Sequence, residues 1–217
     1  KGAVGFLNLE GHGAGTTCIQ RKGIIPFRLT VTGIAAHSCN VANEGANAIA
    51  DAAYKIIEIE KIKDDEGVTC NCGVISGGTV VNSVPDRCEF MVNVRYATAQ
   101  QLEWITAHIN EIAATEHVKG CHCQVSVESF RVAMEYSEGN VELLQKVNVA
   151  LERSGLPLLK GVKRKGGSDA ADVTSVGIPC LDSIGVRGGE IHKREEFAYL
   201  ESLREAAKRV VAVAEYI

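Results

Sequence analysis

The sequence is poor in aromatic residues and proline, and it has no long apolar run. Aromatic residues make up 5% of the 217 residues, with one tryptophan and four prolines. No apolar stretch approaches the roughly 18 residues of a transmembrane helix, so no membrane-spanning segment is predicted. Basic residues are not in excess either, because the formal net charge is −4. A nucleic-acid-binding surface is normally basic, so we expect neither a nucleic acid nor a membrane as partner.

A secretory leader is a further feature that the sequence lacks. No cationic start followed by an apolar segment precedes the first strand-like residues, and we therefore expect a cytoplasmic protein. The chain begins at Lys1 rather than methionine and enters a strand-like stretch almost at once. We accordingly expect this sequence to be a piece of a longer protein.

Cysteine, by contrast, is abundant, with eight residues and two C-x-C pairs, Cys70 with Cys72 and Cys121 with Cys123. In both pairs the sulfurs alternate in phase with valines, as small core residues of strands do. Same-face neighbours on a strand lie roughly 6–7 Å apart, which is too far to chelate one ion comfortably. We therefore expect reduced structural thiols rather than a four-cysteine zinc site.

A glycine-rich turn at residues 166–170 and the single histidine that follows it are the strongest local signals of a binding site. Gly166 and Gly167 let the backbone approach a ligand closely, and Ser168 or Asp169 can cap the following helix. His192 ends a second glycine-rich loop, and its imidazole is a candidate zinc ligand. The alternative is a surface histidine on a turn.

A carboxylate near the N-terminus is a second candidate metal ligand. Glu10 directly follows a predicted strand over residues 2–9 and precedes the glycine-rich residues 11–15. Those glycines do not form a G-x-G-x-x-G fingerprint, because the third glycine comes one place early and no helix pattern follows. Dinucleotide binding is therefore not favoured, and the alternative for Glu10 is a solvated loop acid.

The middle of the chain alternates strand and helix in the order β-α-β-β-α-β. This split βαβ order predicts an α+β domain, a four-stranded antiparallel sheet with two helices on one face, of about 105 residues. Strands are predicted over residues 26–32, 68–75, 87–96 and 121–128, with helices over 45–61 and 99–116. In the clearest strand one face carries Cys88, Phe90, Val92, Val94 and Tyr96.

Residues 1–24 and 132–217 flank this domain and read as one α/β piece, with a helix over residues 140–154 and a strand over 178–182. Apolar residues recur at helical spacing in both parts of the chain, and we expect each such stripe to face a core. For the first helix of the middle domain the stripe is Ile49, Ala52, Ala53, Ile56 and Ile57. For the last helix of the chain it is Leu200, Leu203, Ala207, Val210, Val211 and Ala214.

Three motifs lie in order along nearly the whole chain: residues 32–37 with 45–49, residues 77–95, and residues 166–170 with 177–179 and 188–192. Together they resemble the C-terminal part of the M20 metallopeptidases, the carboxypeptidase G2-like, aminoacylase-like and tripeptidase-like enzymes. The resemblance implies a lid or dimerisation domain at 25–131, inserted in part of an α/β zinc-peptidase catalytic domain at 1–24 and 132–217.

The resemblance also implies roles for individual residues. Glu10 and His192 match ligands to the two metals of a di-zinc centre, for which cobalt and manganese are alternatives. His37 matches a lid histidine that stabilises an oxyanion in the active site of the partner subunit of a homodimer. The residues that match substrate-binding positions are Asn82, Arg95, Arg164, Gly166, Gly167 and Ser168, with Arg95 as a carboxylate binder.

The implied reaction is hydrolysis of an amide bond in a small peptide or an N-acyl amino acid. The family's remaining metal ligands and its general base precede the position of Glu10, and no H-x-D motif or suitably flanked Glu-Glu pair occurs in this sequence. The resemblance therefore predicts a fragment that is inactive alone. The alternative is a non-catalytic dimerisation or small-molecule-binding module, and a nucleotide-binding regulatory domain is supported only by fold analogy.

Overall fold

The computed structural model describes residues 2–11, 13–40, 44–63 and 67–217. Contacts divide the chain into two compact units, Lys1–Gly23 with Arg131–Ile217, and Ile24–Phe130. No helix in the described ranges is long and apolar enough to cross a membrane. The helices and strands, in chain order, are β1 (Phe6–Leu7), β2 (Thr16–Arg21), β3 (Gly23–Thr32), α1 (Ala48–Ile59), β4 (Thr69–Gly77), β5 (Arg87–Tyr96), α2 (Ala99–Ala114), β6 (His122–Val127), α3 (Glu138–Arg153), β7 (Lys160–Arg164), α4 (Ala170–Ser175), β8 (Cys180–Leu181), β9 (Gly188–Gly189), β10 (Phe197–Ala198) and α5 (Leu200–Tyr216).

The second unit is built on a four-stranded antiparallel sheet in the order β4-β5-β3-β6. The alternation predicted for β5 is confirmed, because its alternate residues from Cys88 to Tyr96 are buried. Helices α1 and α2 contact each other and the sheet, so that both cover the same face. Helix α2 begins with a capping box between Thr98 and Gln101, which satisfies backbone donors at its N-terminus.

The face that α1 buries differs from the prediction. Ile49 and Ile57 are 38% and 56% exposed, whereas Asp51 and Lys55 are each 1% exposed. The Asp51 Oδ1 atom accepts hydrogen bonds from two backbone N–H groups of residues 117 and 118, both at 3.0 Å. Lys55 Nζ lies 3.0 Å from Asp51 Oδ2, an ion pair without hydrogen-bond alignment, and donates to the carbonyl of Thr115. Partners for both charges offset their burial, which the apolar pattern alone could not predict.

In the described residues of the first unit, β1 pairs with β8 and β2 with β7 in parallel, and β9 pairs with β10 antiparallel. Strands β2 and β7 were not predicted, because each carries polar and basic residues and is defined by its partner rather than by its own pattern. Strand β1 covers only Phe6–Leu7 of the predicted 2–9. Leu144, Val147 and Leu151 recur at helical spacing within the helix predicted over residues 140–154, and all three are buried on α3. The core cluster around α3 comprises Leu143, Leu144, Val147, Leu151, Leu159, Leu181, Ile184 and Ala212.

The predicted core face of α5 is wrong in the described part of the chain. Leu203 and Val211 are 56% and 63% exposed. The buried side of α5 instead carries Ser202, Ala206, Arg209 and Ala212. This side packs on α3, and the three small residues among the four allow the two helices to approach closely. The apolar stripe of α5 is therefore uncovered.

Candidate active-site region

A cavity of about 560 Å³ in the first unit joins two of the residues singled out by the sequence. Glu10 and Arg164 both line it, together with the loop that carries His192. Arg164 reaches this cavity from the end of β7, beside β2. The remaining lining residues are Gly11, Gly13, Val186, Gly188, Gly189, Ile191, Glu196, Phe197 and Ala198.

Glu10 combines a fixed backbone with an open side chain. The segment after β1 runs along the segment after β8, and the N–H of Gly185 donates to the carbonyl of Glu10 at 2.9 Å. A Cβ atom at Gly185 would lie 1.9 Å from the carbonyl oxygen of Leu9, so only glycine permits this close approach. The carboxylate of Glu10 is exposed. The backbone of Glu10 is therefore held in place while its side chain is free of the packed interior.

His192 does not itself line this cavity, but it lies in the loop between two lining residues, Ile191 and Glu196. Its backbone has φ of 66°, and its N–H donates to Glu196 Oε2 at 3.2 Å. A positive φ is uncommon for histidine and is often associated with function when the surrounding structure holds it. The imidazole is exposed.

The donor types of Glu10 and His192 fit zinc, which binds carboxylate oxygen and imidazole nitrogen. They are too few to complete a site, because structural and catalytic zinc sites use at least three protein ligands. Among the described residues, no group of three histidine, cysteine, aspartate or glutamate side chains could hold a metal ion. The donors present therefore fit part of a metal centre.

The Gly166–Ser168 turn is held by side chains from distant parts of the first unit. The carbonyl of Gly166 accepts a hydrogen bond from Arg21 Nη1 at 3.2 Å. Ser168 Oγ accepts from Asn8 Nδ2 at 3.1 Å and from the N–H of Ala170 at 3.3 Å. Ser168 thus acts at the start of α4, where Asp169 makes no side-chain capping bond. The sequence left open whether Ser168 or Asp169 caps this helix, and the hydrogen bond is made by Ser168.

Sequence reasoning missed Arg21 and Asp182, which form a buried ion pair beneath this turn. Arg21 ends the unpredicted strand β2, and Asp182 directly follows β8. The one sequence feature that indicated a functional residue here is the charge of Asp182, which ends the otherwise apolar strand predicted over residues 178–182. Nothing local to Arg21 distinguishes it from a solvated arginine.

In the second unit, the structure brings His37 and Asn82 together. The two loops that carry them are joined by a bridge between His37 and Ser83, and the N–H of Ser38 donates to the carbonyl of Asn82 at 3.0 Å. His37 is exposed, and its Nδ1 accepts from the N–H of Cys39 at 3.3 Å. A neutral ring with Nδ1 as acceptor carries its proton on Nε2, which leaves that nitrogen as a donor.

Arg95 is not brought to the same place. It pairs with Thr69 at one end of the β4–β5 hairpin, whereas Asn82 lies in the loop at the other end, beyond the pair of Gly77 and Cys88. The seven residue-to-residue steps along the strand from Cys88 to Arg95 span about 23 Å. Within this unit, Arg95 is therefore well separated from the loops of His37 and Asn82.

The cysteines of the C-x-C pairs are buried or half-buried thiols. Burial, with a smaller contribution from Glu60, raises the pKa of Cys70 and of Cys72 to about 12. Burial likewise raises the pKa of Cys123 to about 11. Such thiols are poor nucleophiles and poor metal ligands at neutral pH, because the thiolate is the reactive and coordinating form.

Comparison with known proteins supports the resemblance drawn from the motifs. Residues 19–121 match the family model M20_dimer, described as the peptidase dimerisation domain. Carboxypeptidase G2 of Pseudomonas sp. (strain RS-16) is 26% identical over 172 residues, which cover 79% of this chain and 41% of that protein.

Solved structures give the same result for the fold. Aminopeptidase PepT from Bacillus cereus ATCC 10987 superimposes with a TM-score of 0.81 at 26% identity, covering 95% of this chain and 55% of that one. YXEP from Bacillus subtilis, described as a dinuclear metal-binding peptidase of the M20 family, has a TM-score of 0.73 at 18% identity, covering 97% and 57%. At that identity the second match shows the fold alone. The chain spans about half the length of these relatives.

Proposed function

We propose that this chain, which carries the peptidase dimerisation domain of the M20 family, is part of a two-metal hydrolase. The reaction would cleave an amide bond in a small peptide or an N-acyl amino acid. The cavity that joins Glu10, Arg164 and the His192 loop is the observation that carries this proposal, because Glu10 and Arg164 match a metal ligand and a substrate-binding residue in the M20 resemblance. The chain alone is expected to be inactive.

Glu10 would bind one metal ion and His192 the other. When bound, two zinc ions, or cobalt or manganese in their place, supply Lewis-acid polarisation of the scissile carbonyl and lower the pKa of a water molecule. The ligands that bridge and complete such a centre have no match in this sequence, and neither does the general base. Two ligands without a base cannot supply the chemistry, which is the reason for expecting inactivity.

The other matched residues would bind and orient the substrate. The Nε2–H of His37 would donate to the oxyanion that forms at the scissile carbonyl, with Asn82 beside it. Arg95 and Arg164 would bind substrate carboxylates, for which a guanidinium offers paired donors. The backbone of the Gly166–Ser168 turn would line the substrate pocket. The distance between Arg95 and the His37 loop implies that the two contact different parts of the substrate or different active sites of a dimer.

The division into a lid and a partial catalytic domain is part of the same proposal. In it, residues 25–131 form the βαββαβ lid, and residues 1–24 with 132–217 form part of the catalytic domain. Two features of the first unit support the proposal that it is only part of an α/β domain. The apolar stripe of α5 is uncovered, and the parallel strands occur as the separate pairs β1–β8 and β2–β7. Parallel sheets in α/β domains are normally larger and covered on both faces.

We propose the cytoplasm as the location of the protein, since its cysteines are free thiols.

A second copy of the chain is the proposed partner of the lid. Strand β4 is an edge of its sheet, and residues 73–77 are exposed on both faces. Val74 and Ile75 there are 59% and 54% exposed, and Ile57 on the adjacent α1 is 56% exposed. An exposed apolar edge strand favours pairing with another strand. The match to a peptidase dimerisation domain supports a second copy of the chain as the occupant of this edge.

The test of the function is an activity assay on this chain and on a longer parent. The chain is incubated with zinc, cobalt or manganese and a panel of dipeptides and N-acyl amino acids, beside a His192→Ala control. We expect no turnover above the control from the chain, and turnover that His192→Ala abolishes from the parent. Turnover by the chain alone would contradict its inactivity, and a parent indifferent to His192 would contradict the proposed site.

The incomplete ligand set favours one alternative, a binding module without chemistry. In that case a dipeptide or an N-acyl amino acid would raise the melting temperature of the chain in the absence of metal. A nucleotide-binding regulatory domain would respond to ATP instead, and not to zinc.

A further inference from the structure

The buried ion pair in the first unit makes more contacts than an ion pair needs. Asp182 is 0% exposed and Arg21 is 9% exposed. Taking two such charges out of water costs several kcal/mol per ion, and their attraction repays this only when the remaining hydrogen-bonding groups are satisfied. The stability of the pair therefore depends on partners for the other guanidinium nitrogens of Arg21 and the second carboxylate oxygen of Asp182.

The Arg21 guanidinium reaches three points with its three nitrogens. Its Nε donates to the Asp182 carboxylate, and its Nη2 donates to Ser183 Oγ at 2.7 Å. Its Nη1 donates to the carbonyl of Gly166 at 3.2 Å. One planar group thus connects the segment after β8 with the turn proposed to line the substrate pocket.

The Asp182 carboxylate extends the same connection to the strand that leads to Glu10. Its Oδ1 accepts from Asn8 Nδ2 at 2.9 Å and from the N–H of Ser183 at 2.7 Å. Asn8 Nδ2 also donates to Ser168 Oγ at 3.1 Å. Asn8 lies two residues before Glu10, so the carboxylate holds both the Glu10 strand and, through Asn8, the turn.

The backbone around the pair is also constrained. Ser183 has φ of 60°, a conformation that non-glycine residues rarely adopt. Its side chain and its N–H are both held, by Arg21 and Asp182 respectively. The loop that starts there continues through Gly185, which is bonded to Glu10, toward His192.

We propose that Arg21 and Asp182 are positioning residues that fix three segments relative to one another: the Gly166–Ser168 turn, the Asn8–Glu10 segment after β1 and the loop that begins at Ser183. That these segments bind substrate and metal rests on the proposed function; that the pair sets their spacing rests on the contacts alone. The pair acts through these segments and is not itself a contact of the reacting atoms.

A lysine could not replace Arg21 in this role. Its ammonium is a single point donor that can pair with Asp182, but it lacks the planar fork that reaches Gly166 and Ser183 together. The charge pair and the positioning can therefore be separated by substitution. Arg21→Lys keeps the charge, and Arg21→Met with Asp182→Leu removes both charges while leaving no uncompensated ion.

The experiment is amide hydrogen exchange, read by mass spectrometry, on this chain and four variants: Arg21→Met, Arg21→Lys, the double variant Arg21→Met/Asp182→Leu, and Arg28→Met. The reporters are the N–H groups of Ala170 and Ala171, which are bonded to Ser168. Global stability is measured in parallel by urea denaturation. Arg28→Met is the matched control, because it breaks ion pairs with Glu89 and Glu128 in the second unit.

We expect Arg21→Lys to keep most of the global stability, and the double variant to lose part of it because the donors of Asn8 and Ser183 lose their acceptor. Both should exchange at the reporters roughly tenfold faster, the factor for one lost hydrogen bond. The control should leave the reporters unchanged. Reporter exchange that returns to the original rate in the double variant would overturn the proposal, because the pair would then be merely structural. If Arg21→Met does not fold, Arg21→Lys decides the same question.

The result does not depend on turnover. A parent enzyme without peptidase activity would refute the proposed function and leave the exchange result intact. Unchanged reporter exchange in Arg21→Lys and in the double variant would refute positioning while leaving the proposed function open.

Discussion

The Asp51–Lys55 pair in α1 gives the sharpest stability prediction for the second unit. Both side chains are 1% exposed, so Lys55→Met leaves the Asp51 carboxylate buried without its counter-ion. Breaking a buried pair on one side costs about 3–5 kcal/mol. Two backbone N–H groups still donate to Asp51 Oδ1, which favours the lower end of that range. Domains have a total stability of only about 5–15 kcal/mol, so a loss of this size is large.

The double variant Asp51→Leu/Lys55→Met separates the two contributions. Replacing a buried ion pair with apolar residues is often neutral. Here the replacement also removes the acceptor for the N–H groups of His117 and Val118, and a buried donor left unsatisfied costs about 1–3 kcal/mol. We therefore expect the double variant to recover part of the lost stability but not all of it.

The assay is urea denaturation followed by the fluorescence of Trp104. This is the single tryptophan of the chain, it lies in α2, and it stacks on His108, so its signal reports the second unit. A loss of about 3 kcal/mol moves the midpoint by roughly 2 M urea. Arg87→Met, which removes an exposed ion pair with Glu89, is the control and should cost under about 1 kcal/mol. If Lys55→Met cost no more than this control, the reasoning from burial would be refuted.

Three further predictions concern assembly, acid stability and thiol reactivity. We expect Val74→Lys on edge strand β4 to shift sedimentation of the chain at micromolar concentration toward monomer. The control Val127→Lys, on the opposite edge of the sheet, should have little effect. A chain that is monomeric without substitution would contradict the proposed dimer. A hydrogen bond from the N–H of Cys72 holds the pKa of Glu60 below its ordinary value of 4.5, so its stabilisation is present above pH 4.5 and is lost as the pH falls through the folded-state pKa. Urea midpoints between pH 3 and 6 should therefore vary less in Glu60→Gln, and an identical pH dependence would count against this. Iodoacetamide at pH 8 should label the exposed Cys39 before Cys72, because a pKa of about 12 leaves roughly 10⁻⁴ of Cys72 as thiolate. Peptide mass spectrometry measures the labelling of each cysteine, and equal labelling would contradict the burial of Cys72.

Local pattern in the sequence was sufficient for elements that carry a clear apolar periodicity of their own. The strand from Cys88 to Tyr96 and the core side of α3 follow from residue spacing alone, because alternation and helical periodicity are properties of the segment itself. The motifs at residues 32–49, 77–95 and 166–192 also sufficed to indicate the M20 family. A motif is recognised from the types of its residues and their order along the chain, and neither requires knowledge of which residues touch in three dimensions.

Spatial proximity in the candidate site was not available from the sequence. The cavity shared by Glu10 and Arg164 joins residues 154 positions apart, and the hydrogen bonds between loops put Asn82 beside His37 and leave Arg95 at the other end of its strand. No local pattern encodes such distances, since they depend on how the strands pair.

The amino-acid sequence by itself determined which segments form the main helices and strands and which family they resemble. The tertiary structure decided which helix faces are covered: α1 buries Asp51 and Lys55, and α5 leaves Leu203 and Val211 uncovered. It also decided that Arg21 is a buried connector rather than a solvated arginine. The physical reason is the same in each case. An apolar side chain is buried only where a neighbour covers it, and a charge can be buried only where partners from distant segments meet it.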